Sequence, residues 1–317
     1  MSTYLEAPEM ICELPEALKP LRERLVANLV MIAQIPAPTW GESSRVRFLL
    51  DRFAEAGLSD AAADDAGKAV GRLAGKRKDR TILLVSHLDT IFPANQSHEV
   101  TVEADRVIGA GVGDNALGAA IVSLMPTVLE QLHIELESDL ILLGSTRSLG
   151  RGNHAGIHFF LDHLPEKVDV GVCVEGMQLG RVNFFSIGTA RADITCEVRR
   201  LSEPSRSYGA ESALVVLNHI INRILGISTP ARPYTRIKMG KMRAGMYYDA
   251  EPDQGHSPSE LSELISRNIP AVTLGITHGE KNRKTAPDHV LIDPILTGVA
   301  QLVGVILAID GGACDEL

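Results

Sequence analysis

The sequence predicts an α/β protein in which helices sandwich a mostly parallel central sheet, with a small α+β insert. Three observations carry that reading. Continuous apolar runs at 81–85, 139–143, 168–174 and 271–276 are what strands buried on both faces require. Stretches with helical spacing fall between these runs, the pattern of strands joined by crossover helices. From about residue 188 the pattern changes, and polar and apolar residues alternate as in a half-exposed antiparallel strand.

Taken in order, residues 21–35 and 43–56 each place apolar side chains on one helical face, separated by the Pro36-Ala37-Pro38 breaker. Helices over 118–129 and 153–164 follow the first two strands. In the insert, 191–199 and 234–239 read as exposed strands, and 210–225 as an amphipathic helix that Gly226 ends. A last helix spans 296–309. The predicted division is a discontinuous main domain, 1–187 with 254–317, interrupted by an insert at 188–253.

Composition narrows the function. The chain has 317 residues, 45% of them hydrophobic, and a formal charge of −9. An acidic surface disfavours nucleic-acid backbones and anionic membranes as partners. No apolar run reads as long enough to cross a bilayer, and the first residues lack the basic and apolar regions of a signal peptide. Cysteines 12, 173, 196 and 314 form no close pair, which suits reduced thiols and predicts a cytoplasmic protein.

The chemistry gathers at strand ends, where open α/β sheets place their ligands. His87 and Asp89 follow the first strand, Asp114 lies in the glycine-rich turn 109–114, and Glu175 follows the third strand. Zinc takes neutral imidazole and carboxylate ligands and, in catalytic sites, leaves one position open. His87, Asp114 and Glu175 form such a set, with Asp89 placed to orient the His87 ring. Singly, each has a plainer reading: His87 and Asp89 as a local pair, Asp114 as a helix cap. Their order and their shared position at strand ends favour a metal.

These motifs resemble those of the M20 metallopeptidases, a family of carboxypeptidases, tripeptidases, aminoacylases and deacetylases. His87-Leu88-Asp89 is similar to its first metal motif, and Gly113-Asp114-Asn115 to the motif bearing the metal-bridging aspartate. The M28 aminopeptidases share a similar Gly-Asp-Asn element, but the insert resembles the M20 lid. The resemblance implies a three-layer zinc-peptidase-like sandwich with a lid at 188–253 that often carries dimer contacts, and so allows a homodimer.

Departures from the family pattern fall in the reaction centre. The general base aligns with Thr146 and the private ligand of a second metal with Arg147; the matching histidine near 284–285 is absent. Thr146 cannot accept a proton near neutral pH. Arg147 is expected to replace the second cation and pair with Asp114. In the lid, the substrate-contacting histidine aligns with the segment containing Arg206, a later lid asparagine aligns with Asp249, and part of the lid reads as deleted. The expectation is a peptidase-like protein with zinc at no more than one site, which binds a small peptide-like or acylated ligand, or a partner, without the family's two-zinc hydrolysis. The alternative is an active one-metal amidohydrolase or peptidase.

Other signals carry less. His154, His158 and His163 read as surface or packing histidines, and Ser145 and Ser148 lack a triad context. The basic run 281–284 reads as a solvated loop. His278 and His289 as migrated ligands, and Glu280 as a displaced base, are minor alternatives.

Overall fold

Strand β3 (Thr81–His87) is buried at every position, so each face of the sheet it belongs to must be covered. Ile82 and Leu84 enter one apolar cluster, and Leu83 and Val85 enter the other. That alternation is the two-residue period of a strand, and it splits the core into two layers about the sheet. The structure is a computed structural model that describes residues 13–58, 62–63, 67, 69–180, 182–184, 194–196, 213–230, 237, 260–280 and 287–312. Backbone contacts divide the chain into two units, Met1–Gly188 with Ser257–Leu317, and Thr189–His256.

In the first unit the helices are α1 (Arg22–Ala33), α2 (Ser43–Glu55), α3 (Leu117–Gln131) and α4 (Ala155–His163). The remaining strands of the main sheet are β1 (Ala62–Ala63), β2 (Ala69–Leu73), β6 (Asp139–Ser145), β7 (Val170–Met177), β8 (Val182–Asn183) and β9 (Ala271–Thr277). They lie in the order β1-β2-β6-β3-β7-β9-β8. The four central strands β6, β3, β7 and β9 run parallel, and antiparallel strands flank them. The expected α/β sandwich with a mostly parallel sheet is therefore present. Register sets the site: His87 lies opposite Ser145, and Glu175 opposite Gly275, so the ends of the central strands line up at one edge.

Further along the chain come α5 (Ala213–Leu225), α6 (Glu260–Ser266) and α7 (Ile295–Asp310). Helices α1, α2, α3 and α7 cover one face of the sheet, and α4 and α6 the other. The pattern expected for 168–174 starts two residues late and extends to Met177, which carries Glu175 inside the strand. Short strands β4 (Thr101–Val102), β5 (Arg106–Gly109), β10 (Gly279–Glu280) and β11 (Asp288–Leu291) form a second, antiparallel sheet that the apolar pattern does not announce.

One expectation about membranes is corrected. The helical stretch Val112–Gln131 is long and apolar enough to cross a bilayer, yet 89% of its most apolar window is buried in the protein. It is apolar all round because it is the central helix of the larger core cluster.

Within the second unit, helix α5 has no buried side chain among those described, and Val215 and Leu225 are exposed. Residues 194–196 form no strand; the rest of the strand expected at 191–199 lies outside the described residues. Nothing but residue 237 is described of the strand expected at 234–239, and Arg206, Asp249 and 281–286 also lie outside.

Candidate metal centre

His87 closes β3, Asp114 follows a tight turn after β5, and Glu175 lies near the end of β7. One ligand atom from each comes within 4.8 Å of the other two. His87 Nε2 stands 3.1 Å from Asp114 Oδ1. Donors on a tetrahedral zinc at ~2.0–2.1 Å are ~3.3 Å apart, so this spacing already suits the ion. An imidazole nitrogen and two carboxylates are also its ordinary donor set. The His87–Asp114 pair thus fits a zinc ion in spacing, and the triad fits it in donor chemistry.

Asn115 explains how Asp114 is held. Its fully buried side chain uses both amide hydrogens and accepts twice: Nδ2 donates to Ser86 Oγ (2.9 Å) and to the Val174 carbonyl (2.8 Å), and Oδ1 accepts from Gly118 N (3.2 Å) and Gly176 N (2.9 Å). One amide thus ties β3, β7 and the start of α3 together beside Asp114. The Asp114–Asn115 peptide is cis. Gly176 is needed for closeness: a Cβ there would lie 2.5 Å from the Gly113 carbonyl oxygen.

The contact between Asp89 and His87 is more particular than the sequence expectation. His87 Nδ1 lies 3.0 Å from the main-chain oxygen of Asp89, while the Asp89 carboxylate is 3.6 Å away. Asp89 therefore holds the ring chiefly through its backbone and supports it with charge through its side chain. That side chain is fully buried and accepts from Thr39 Oγ1 (2.8 Å), Ser148 N (3.1 Å) and Leu149 N (2.8 Å). Buried Arg45 adds its charge nearby and binds the carbonyls of Ile35 (2.9 Å) and Leu88 (3.0 Å).

Electrostatics favour a cation. Burial alone would lower the His87 pKa, but the nearby Asp89 carboxylate, with the charges of Glu260 and Glu175, pushes it up to about 9. Burial raises Glu175, the positive charge of protonated His87 opposes this and Glu260 adds to it, leaving Glu175 at about 7. A site that concentrates carboxylates until a histidine prefers its charged form is one that a divalent ion would neutralise.

Arg147 requires a correction. It forms no ion pair with Asp114; its guanidinium lies over the Trp40 ring, 4.6 Å from the centroid. The physical reason is the turn at the end of β6, where Arg147 has a φ of +56° and gives its N–H to Glu42 Oε1 at 2.8 Å. Thr146 is buried, and its hydroxyl has no hydrogen-bond partner.

Two buried residues lie close to this electrostatic field, and the sequence reading missed one of them, Glu260. Of the two readings open for His154, surface or packing, the structure gives packing: it is 4% exposed, both ring nitrogens are buried without a partner, and burial lowers its pKa. Glu260, which opens α6, is 2% exposed, has an unpartnered buried oxygen, and acts on His87, Glu175 and His154 through its charge. His278 and Glu280 are exposed, and neither they nor His289 join the triad among the described residues. Nor does the ~250 Å³ cavity lined by Leu164, Asp169, Arg267 and Pro270 belong to this site, since it opens where β7 and β9 begin.

The chain is similar to known peptidases in part of its sequence and in its fold. Peptidase family M28 matches residues 68–147, a stretch that contains His87 and Asp114. No curated protein sequence matches the chain. A tripeptidase from Staphylococcus aureus subsp. aureus Mu50 is similar in structure, with a TM-score of 0.60, 15% identity, and coverage of 91% of this chain and 98% of that one. The dipeptidase Dug1p of Saccharomyces cerevisiae has a TM-score of 0.56 at 10% identity, covering 93% and 97%. The Bacillus subtilis protein YXEP, a dinuclear metal-binding peptidase of family M20, has a TM-score of 0.51 at 10% identity, covering 91% and 99%. The fold is similar to that of these peptidases, and His87, Asp114 and Glu175 form a candidate metal-ligand triad within it.

Proposed function

We propose that the protein is an M20-type member of the zinc-peptidase superfamily that holds one zinc ion through His87, Asp114 and Glu175. It binds a small peptide-like or acylated ligand, and it lacks the family's two-zinc hydrolysis. The observation that carries this reading is the contrast at the ends of β3 and β6. The triad is assembled, while the position of the base holds the unpartnered hydroxyl of Thr146 and the second ligand position holds Arg147 turned onto Trp40. The separate unit 189–256 supports an M20-type lid over the M28 alternative, and the lid reading allows a homodimer.

When bound, zinc supplies a Lewis acid that polarises a carbonyl and lowers the pKa of water. The chain's own residues then divide the remaining work. His87, Asp114 and Glu175 supply the donors, Asp89 and Asn115 fix two of them, and Thr146 offers a hydroxyl that can donate or accept a hydrogen bond but cannot take up a proton near neutral pH. Loss of a positioned base typically costs about 10²–10⁴-fold in rate.

One observation favours the alternative, an active one-metal hydrolase. Glu260 brings a buried carboxylate, with an unpartnered oxygen, into the field of His87 and Glu175. The deciding experiment measures zinc by elemental analysis and screens dipeptides and N-acyl amino acids for turnover with added zinc. The proposal expects about one zinc per chain, lost in His87→Ala, and no turnover. Zinc-dependent turnover abolished by His87→Ala would establish the one-metal hydrolase instead. Absence of zinc with every ligand residue intact would remove both.

A further inference from the structure

We propose that Arg147, stacked on Trp40 beside the metal triad, is the grip for the free carboxylate of a small peptide or N-acyl amino acid. This inference rests on the peptide-like ligand proposed above and names the group by which it is recognised.

Position comes first. Thr39 and Ser148 each donate to the Asp89 carboxylate, and Asp89 holds His87. Trp40 and Arg147 are the chain neighbours of those two donors, so both are suspended from the carboxylate that also supports a metal ligand. The aim of Arg147 is set by its turn. Its φ is +56°, a region a long side chain rarely adopts, and its N–H is held by Glu42. On the far side, a Cβ on Gly152 would lie 2.3 Å from the Arg147 carbonyl oxygen, so that strand of the turn is packed against bare backbone.

Charge comes second. Among the described residues, no carboxylate lies within ion-pairing distance of the Arg147 guanidinium; its contact is the face of Trp40, which is 61% exposed. A guanidinium lying over a ring keeps its edge donors, and those donors match a carboxylate two at a time. Asp89 and Glu260 add negative charge beside the triad's own two carboxylates, which disfavours an anionic group there unless a cation offsets it. A half-exposed cation at the end of β6 gives the ligand's carboxylate one favourable place and orients the rest of the molecule.

The chain supplies its own probe, because Trp40 is its one tryptophan. The test titrates full-length protein, with and without zinc, with Gly-Leu and with acetyl-leucine, each also as its C-terminal amide. Trp40 emission and calorimetry report binding. The expected result is at least tenfold tighter binding of a free acid than of its amide. Arg147→Gln should erase that preference, and Arg147→Lys should retain part of it, which also controls for folding. A preference confined to Gly-Leu, or to acetyl-leucine, supports the grip and names the source of the carboxylate. Equal affinity for acid and amide overturns it, as does a preference that survives Arg147→Gln, or no binding of any probe by calorimetry. Zinc stoichiometry is measured on the same samples without ligand. Zinc binding without a carboxylate preference defeats the grip alone, and the converse defeats the metal reading alone.

Discussion

Zinc uptake at the triad should release protons, so its affinity must climb with pH by a predictable amount. The ligating forms are neutral His87 and ionised Glu175, whereas in the metal-free protein their pKa values are pushed up to about 9 and about 7. At pH 7 the ion must displace a proton from His87 against about two pKa units, roughly 2.7 kcal/mol. Half of the Glu175 population is also protonated there. Combining the two, affinity should fall about 100-fold from pH 9 to pH 7 and roughly a further 50-fold from pH 7 to pH 6. Competition against a chromophoric chelator across this range measures the slope. Calorimetry in buffers of different ionisation enthalpy counts the protons released. An affinity that changes less than about threefold between pH 6 and pH 8 would refute the coupling of imidazole to carboxylates from which the estimate follows.

Three further outcomes follow from the same geometry. Without metal, His87 and Glu175 both hold protons more tightly when folded than at their ordinary values of 6.5 and 4.5. Their contribution to stability is therefore full below those values and lost as pH rises through about 7 and about 9, so the metal-free Tm should fall from pH 6 to pH 9 and zinc should restore it. Asn115→Ala strands two donors and two acceptors in the core and should cost at least ~3 kcal/mol in urea unfolding; a loss below ~1 kcal/mol contradicts the bonds described. Glu260→Gln removes a charge that favours imidazolium, so NMR titration of metal-free protein should show the His87 pKa lowered; an unchanged value excludes Glu260 from the field of the site.

Much of the fold was legible because four buried strands carry continuous apolar runs that nothing else in a chain of this composition explains. Chemistry at their ends was legible for a related reason: His87 and Glu175 interrupt or follow those runs, and a polar residue there needs a purpose. The second sheet was not, since its strands are two to four residues long and β5 pairs with β11 from the far end of the chain. Arg147 shows a deeper limit. A sequence states that a charge is present, but its direction depends on a left-handed turn set by Glu42 and Asp89, residues distant in the chain. For His154 the spacing left surface and packing open, and the structure gives packing: it precedes α4 with a φ of +58° and is buried. The long apolar helix was underestimated as a run because Gly, Ser and Pro dilute it locally.

The Asp89 carboxylate has a consequence for how such a protein can change over evolutionary time. Three donors from two loops converge on it, and none of them is a metal ligand. The two loops that supply these donors are thus pinned beside His87 by hydrogen bonds internal to the polypeptide. A substitution of the Thr146 side chain would leave these three bonds untouched. A framework held in this way allows side chains with chemical roles to change in a lineage without loss of the local architecture.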